Sequence, residues 1–300
     1  MLPFLYPDPA TRDALLANPQ TAPIPELHRE LFAFAETFVR GSWKATPDGL
    51  QRLRAAGLPE AEIVRWATFG STQSWFTMSA DGGGVPLDGD ATTGPAVGRT
   101  RESYEATREG LLAAPDEAAD ASAVPGSGVA WVETDEANEA YGEAARQAEA
   151  RYGGVPNLLR AVSLVPDFYR RHLLALELLE APQSASLSPR QHARVRALVS
   201  QLNRSPYGEV TSAALLSREG GPGSGAAESP ADRAVLGLAT KLARNAYKVT
   251  EKDAIGLREA GLDDEAYVDV LNTVAIQTSL ERLANVLGVQ PDSFPLLPRP

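Results

Sequence analysis

Apolar residues along this chain recur every three or four positions rather than every two. Leu31, Phe34, Ala35 and Phe38 form one such stripe. Residues 155–180, VPNLLRAVSLVPDFYRRHLLALELLE, form a denser one, broken at Pro166. No stretch alternates for long enough to make a strand, so the pattern predicts an all-α protein.

The pattern also repeats. Residues 29–85 align without a gap with 233–289, at an offset of 204. Arg40/Arg244, Lys44/Lys248, Thr46/Thr250, Leu53/Leu257, Arg54/Arg258, Gly57/Gly261, Val64/Val268 and Gln73/Gln277 are identical pairs. Each copy reads as three helices. The second opens on Thr46 or Thr250 as N-cap, followed by Pro47 in one copy and supported by Asp253 in the other. It closes at Gly57 or Gly261, where glycine takes up a left-handed backbone without strain. The third starts near Pro59 or Asp263.

Between the copies, 80–100 and 115–130 are rich in Gly, Pro, Asp and Ala and read as loops. Residues 100–113 and 133–152 read as polar helices. The segment SREGGPGSGAAESP (217–230) reads as a loop, either a lid or a plain connector.

From Val155 to about Val289 the order of features is similar to the alkylhydroperoxidase-D / carboxymuconolactone-decarboxylase family. VPNLLRAVSLVPDFY resembles its opening helices, and LSPRQHARVRALVSQLN the helix before its active site. NRSPYGEVTS stands where the family carries N-x-C-x-x-C-x-x-x-H. LREAGLDDEAYVDVLNTVAIQTSLERLANVLGV resembles its closing helices. The resemblance implies that family's helical bundle, with 29–85 as a shortened copy of the closing half. It divides the chain into an N-terminal lobe (1–90), a loop-rich helical connector (91–150) and the family-like domain (151–300).

The redox residues are replaced. The family's relay glutamate falls on Ala193, its two cysteines on Ser205 and Gly208, and its histidine on Ser212. A hydroxyl and a hydrogen cannot replace an attacking and a resolving thiolate, so peroxidase chemistry is not expected at this place.

Composition narrows the field further. The chain has 300 residues, no cysteine and only three histidines, His28, His172 and His192. Disulfides, thiolate nucleophiles and cysteine-ligated metals are ruled out, and no metal-binding histidine spacing occurs. A net charge of −11 argues against nucleic acid as partner. No apolar run is long enough for a bilayer, and the opening segment lacks a basic leader, so a cytoplasmic location and no membrane partner are expected. No metal or cofactor is expected, with a carboxylate-only site for a hard cation as the one metal alternative left open.

Ser205, Gly208 and Ser212 share one helix face, with Glu209 at its border and Tyr207 between the former cysteine positions. Glu209, Tyr207 and His172 are the candidate acid/base residues, and Ser205, Ser212, Tyr169 and Arg171 the candidate substrate contacts. Each has a plainer role open to it. Glu209 reads equally as a solvated helix residue, Tyr207 as core packing, Ser205 as a cap before Pro206, and His172 and Arg171 as surface groups. His192, in an arginine-rich helix, is expected to be exposed. Trp66, Phe69, Trp75 and Phe76 read either as packing or as a wall for a flat substrate.

The functional expectation is a cofactor-free, non-redox enzyme of lyase, cyclase or isomerase type. It would act on a small organic substrate in a pocket left by the lost sulfurs. The alternative is a catalytically silent relative that binds a ligand or supports assembly. The resemblance also implies oligomers, here a homodimer.

Overall fold

The computed structural model describes residues 6–85, 128–137, 139–221 and 229–299, without the side chain of residue 140. Among these there are twelve α-helices and no strand. The all-α expectation therefore holds. The first four are α1 (Pro9–Ala17), α2 (Glu26–Gly41), α3 (Pro47–Ala55) and α4 (Glu60–Gly82). Further along the chain come α5 (Glu139–Tyr152), α6 (Asn157–Ala161), α7 (Pro166–Leu178), α8 (Pro189–Asn203) and α9 (Pro206–Arg218). The chain closes with α10 (Pro230–Asn245), α11 (Glu251–Glu259) and α12 (Asp264–Leu287).

Helix starts are written locally in the sequence. Proline opens α1, α3, α7, α8, α9 and α10, where its missing N–H costs nothing and its fixed φ suits the first turn. Pro166 is one of these starts, so the break expected there is the gap between α6 and α7. The helices α10, α11 and α12 begin 204 residues after α2, α3 and α4 respectively. The short 3-10 turns Ser42–Lys44 and Ala246–Lys248 keep the same spacing. Gly57 (φ 92) and Gly261 (φ 87) both take the left-handed conformation expected of them.

Some boundaries differ from the sequence expectation. The helix anticipated over 133–152 begins only at Glu139. The chain before it is tied elsewhere: Trp131 N donates to Leu287 O, Arg54 to Trp131 O, and Asp135 N to Ser163 Oγ. Thr250 completes a capping box with Asp253, whereas Thr46 caps α3 without a side-chain bond. The helix expected over 100–113 and most of the two loops around it lie outside the described residues. So does most of the glycine-rich segment 217–230.

α12 is the axis of the molecule. It packs most extensively along α4 and also against α8 and α10, and most of its side chains beyond Ala266 are buried. One apolar core lies between α4, α12 and the α5–α7 region, and a second between α8, α10 and α12. α8 is enclosed by α9, α10 and α12, which corrects one expectation. His192 is 1% exposed, because the helix that looked like a solvated arginine-rich segment is covered on several sides.

Candidate functional site

Ser205, Gly208 and Ser212 lie at the junction of α8, α9 and α12. The turn between α8 and α9 is tight. Arg204 holds a left-handed φ of 48°, rare for a residue with a Cβ, and its guanidinium stacks over Trp43. Ser205 follows as N-cap of α9. It is fully buried, and its Oγ accepts from Gly208 N at 3.2 Å. Gly208 and Ser212 are buried on the same face, with Ser212 Oγ donating to Glu209 O at 3.4 Å.

A buried carboxylate faces this turn. Glu281, on α12, is 1% exposed. Its Oε1 accepts from Ser200 Oγ at 2.5 Å and Gln277 Nε2 at 2.6 Å, and its Oε2 from Asn203 Nδ2 at 2.6 Å. Arg196 extends the network by donating to Gln277 Oε1 at 2.9 Å and Leu179 O at 2.6 Å. The placement follows helical geometry: Arg196, Ser200 and Asn203 are spaced i, i+4, i+7 on α8, and Gln277 and Glu281 i, i+4 on α12. Gly208 lets α9 approach: a Cβ built there would collide with Glu281 Oε1.

Electrostatics in this cluster are set by burial. Loss of water pushes the Glu281 carboxyl up to about 7, while the Ser200, Gln277 and Asn203 hydrogen bonds and the Arg196 charge pull the other way. Burial brings Arg196 down to about 10, so it still carries its charge at neutral pH. Burial and the nearby Asp292 carboxylate raise the Tyr207 hydroxyl well above its ordinary value, so it stays protonated. Asp292, from the tail after α12, is pushed up to about 6 by burial. Neither Tyr207 Oη nor Asp292 Oδ2 completes a hydrogen bond.

Arg196, Tyr207, Thr211, Gln277 and Glu281 line a cavity of about 10 Å³, closed by Leu176, Leu179, Leu280 and Leu296. That volume is about one water molecule's worth of space. Leu296 belongs to the tail, which is held down by Asp292 Oδ1 accepting from Asn157 N at 2.6 Å and by Arg299 N donating to Arg151 O.

The residues singled out from the sequence separate into two groups. Tyr207 lines the cavity, and Ser205 and Ser212 are buried on the helix that borders it. Ser205 also performs the capping role. Glu209 is exposed on α9 and does not line the cavity. His172 is buried on α7, with Nδ1 2.7 Å from Phe168 O, and burial lowers its pKa, so it is neutral. Tyr169 is wholly buried edge-on against Tyr141, and Arg171 is exposed beside the Phe168 ring. Neither lines the cavity. The aromatic set on α4 divides too: Trp66, Phe69 and Phe76 are about half exposed, and Trp75 packs against both cores.

Glu281, Arg196, Ser200, Asn203 and Gln277 were not among the sequence candidates. One signal was available. Glu281 and Arg282 are the only charged residues between Val270 and Leu287, in a helix otherwise fit for a core. Among the described residues, no group of three His, Asp or Glu side chains could hold a metal ion.

No protein-family model matches the sequence, and neither does any curated protein. Among solved structures, the chain is similar to an uncharacterized peroxidase-related protein from Silicibacter sp. TM1040. The identity is 19% and the TM-score 0.47, over 53% of this chain and 88% of the other. No helix among the described residues is long and apolar enough to cross a membrane.

Proposed function

We propose that the Glu281 cluster is the working site of a cofactor-free, non-redox enzyme of lyase or isomerase type, which moves a proton on a small organic molecule. The observation that carries this reading is a fully buried carboxyl that lines a cavity with a tyrosine and an arginine, and that burial pushes up to about 7. A group with that value is both an effective base and an effective acid at neutral pH. Tyr207, fixed in its protonated form, donates a hydrogen bond. Arg196 offsets negative charge that develops on the ligand. Thr211 supplies a further polar edge, with Ser205 and Ser212 buried behind it on the same helix. The tail carrying Leu296 and Asp292 has to move for a ligand to enter. This reading shifts the acid/base role from Glu209 to Glu281 and keeps Tyr207.

A second reading, a catalytically silent binding or assembly protein, is favoured by the cavity's volume of about 10 Å³. The equal spacing of α2–α4 and α10–α12 supports an internal duplication, and a homodimer remains part of the proposal. Incubating the wild type and Glu281→Gln with a metabolite extract, followed by mass spectrometry, separates the two readings. Metabolites consumed by the wild type and spared by the folded variant support the enzyme. Identical profiles support the silent protein.

A further inference from the structure

We propose that a second cavity, between α2, α3 and the end of α12, binds a small carboxylate. It lies apart from Glu281, and the proposal does not depend on the reading of that site. The cavity measures about 70 Å³ and is lined by Glu30, Thr37, Lys44, Thr46, Gly49 and Arg52, among others. That leaves room for about five water-sized groups, enough for a two- to four-carbon acid.

The other half of the molecule shows what fills this space. At the spacing of 204, Thr37 corresponds to Lys241, Thr46 to Thr250 and Gly49 to Asp253. There the Asp253 carboxylate takes Lys241 Nζ at 2.8 and 2.7 Å, Thr250 N at 2.7 Å and Thr250 Oγ1 at 3.1 Å. One carboxylate thus closes the start of α11 and occupies the groove beside α10. In the first half the carboxylate and its ammonium partner are both gone. Gly49 has no side chain, Thr37 carries no charge, and Thr46 caps α3 without a side-chain bond.

The charge of the lining fits an acid. The lining carries two basic groups, Lys44 and Arg52, beside the carboxylate of Glu30, and Lys44 takes part in a further interaction of its own. Arg52 uses its Nε on Glu30 at 3.0 Å, and its guanidinium has further donors. A free carboxylate in the cavity takes Thr46 N–H as Asp253 takes that of Thr250, and its second oxygen faces the Arg52 side. The remaining carbons lie along Ala33, Phe34 and Leu50.

Sodium acetate is the probe. It is titrated into the full-length, isotope-labelled protein at constant ionic strength, with sodium chloride as reference, and amide shifts are followed by NMR. Saturable shifts centred on Thr46 and Gly49 are expected with acetate and not with chloride. Gly49→Asp restores the carboxylate of the other half and is sterically open, since a Cβ there meets only Arg52 Nη2 at 3.9 Å. It is expected to abolish the acetate response. Arg52→Gln is expected to weaken binding on the order of tenfold, and Glu281→Gln to leave it unchanged. Equal shifts with chloride, or a Gly49→Asp protein that binds acetate like the wild type, would overturn the proposal.

Discussion

The backbone of Gly208 lies so close to the Glu281 carboxyl that no side chain fits between them. Glu281 is not a loose end that would swing aside, because Ser200, Asn203 and Gln277 hold both of its oxygens. Gly208→Ala should therefore lose about 1–3 kcal/mol, the usual cost of overpacking a well-filled interior. Urea denaturation measures this. A variant as stable as the wild type would mean that α9 does not press on the carboxylate.

Glu281 gives stability a definite pH dependence. Its folded value of about 7 lies above its ordinary value of 4.5. The folded state therefore holds a proton that the unfolded chain has released. The contribution is fully present below pH 4.5 and is lost as pH rises through 7. Across that window it amounts to something on the order of 3 kcal/mol. Glu281→Gln, which cannot ionise, should gain on the wild type as pH rises from 4.5 to 7.5. Parallel denaturation curves at both pH values would contradict it.

His192 acts in the opposite sense. Burial, with Arg196 and Arg218 nearby, lowers it to about 3, and neither ring nitrogen has a hydrogen-bond partner. It is neutral when folded and takes up a proton when unfolded below about 6.5. Its contribution is present above pH 6.5 and is lost as pH falls towards 3. His192→Leu removes an unpaired polar ring of similar size. It should match or exceed wild-type stability at pH 7 and lose less on acidification to pH 4. Thermal melts at the two pH values check this, and a strong loss at pH 7 would show that the ring has an essential partner.

Much of the fold was legible because its signals are local. Proline starts, glycine ends and the spacing of 204 are each written in a few residues. Ser205, Gly208 and Ser212 were also found on one buried face, as helical geometry requires. Glu281 escaped because burial depends on what covers a helix. α8 carries Arg190, Arg194 and Arg196 within two turns, and only the enclosing helices decide that Arg196 points inward. Exposed Glu209 and buried Glu281 look alike as letters, and position alone separates their chemistry.

Ser205 offers a modest, separate check. Its Oγ caps the Gly208 amide, so Ser205→Ala should cost about 1 kcal/mol. Ser205→Thr, which keeps the acceptor but adds a methyl at a fully buried position, should not recover the loss. Chemical denaturation of both variants provides the comparison. A neutral Ser205→Ala would leave the residue without its capping role.

Leu296 tests the closure of the cavity. Leu296→Ala enlarges a space bounded by Glu281 and Tyr207 and should cost about 2–4 kcal/mol if the tail is packed as described. It should also speed hydrogen exchange at Tyr207 and Thr211 amides. Unchanged exchange would place the gate elsewhere.

The most direct test is a titration of the Glu281 carboxyl itself. Carboxyl resonances of protein labelled with ¹³C-glutamate are followed from pH 3 to 9, with Glu281→Gln identifying the signal. A midpoint near 7 is expected. A midpoint at the ordinary glutamate value, near 4.5, would mean that the carboxyl is not held in a dry site, and the acid/base account would fail with it.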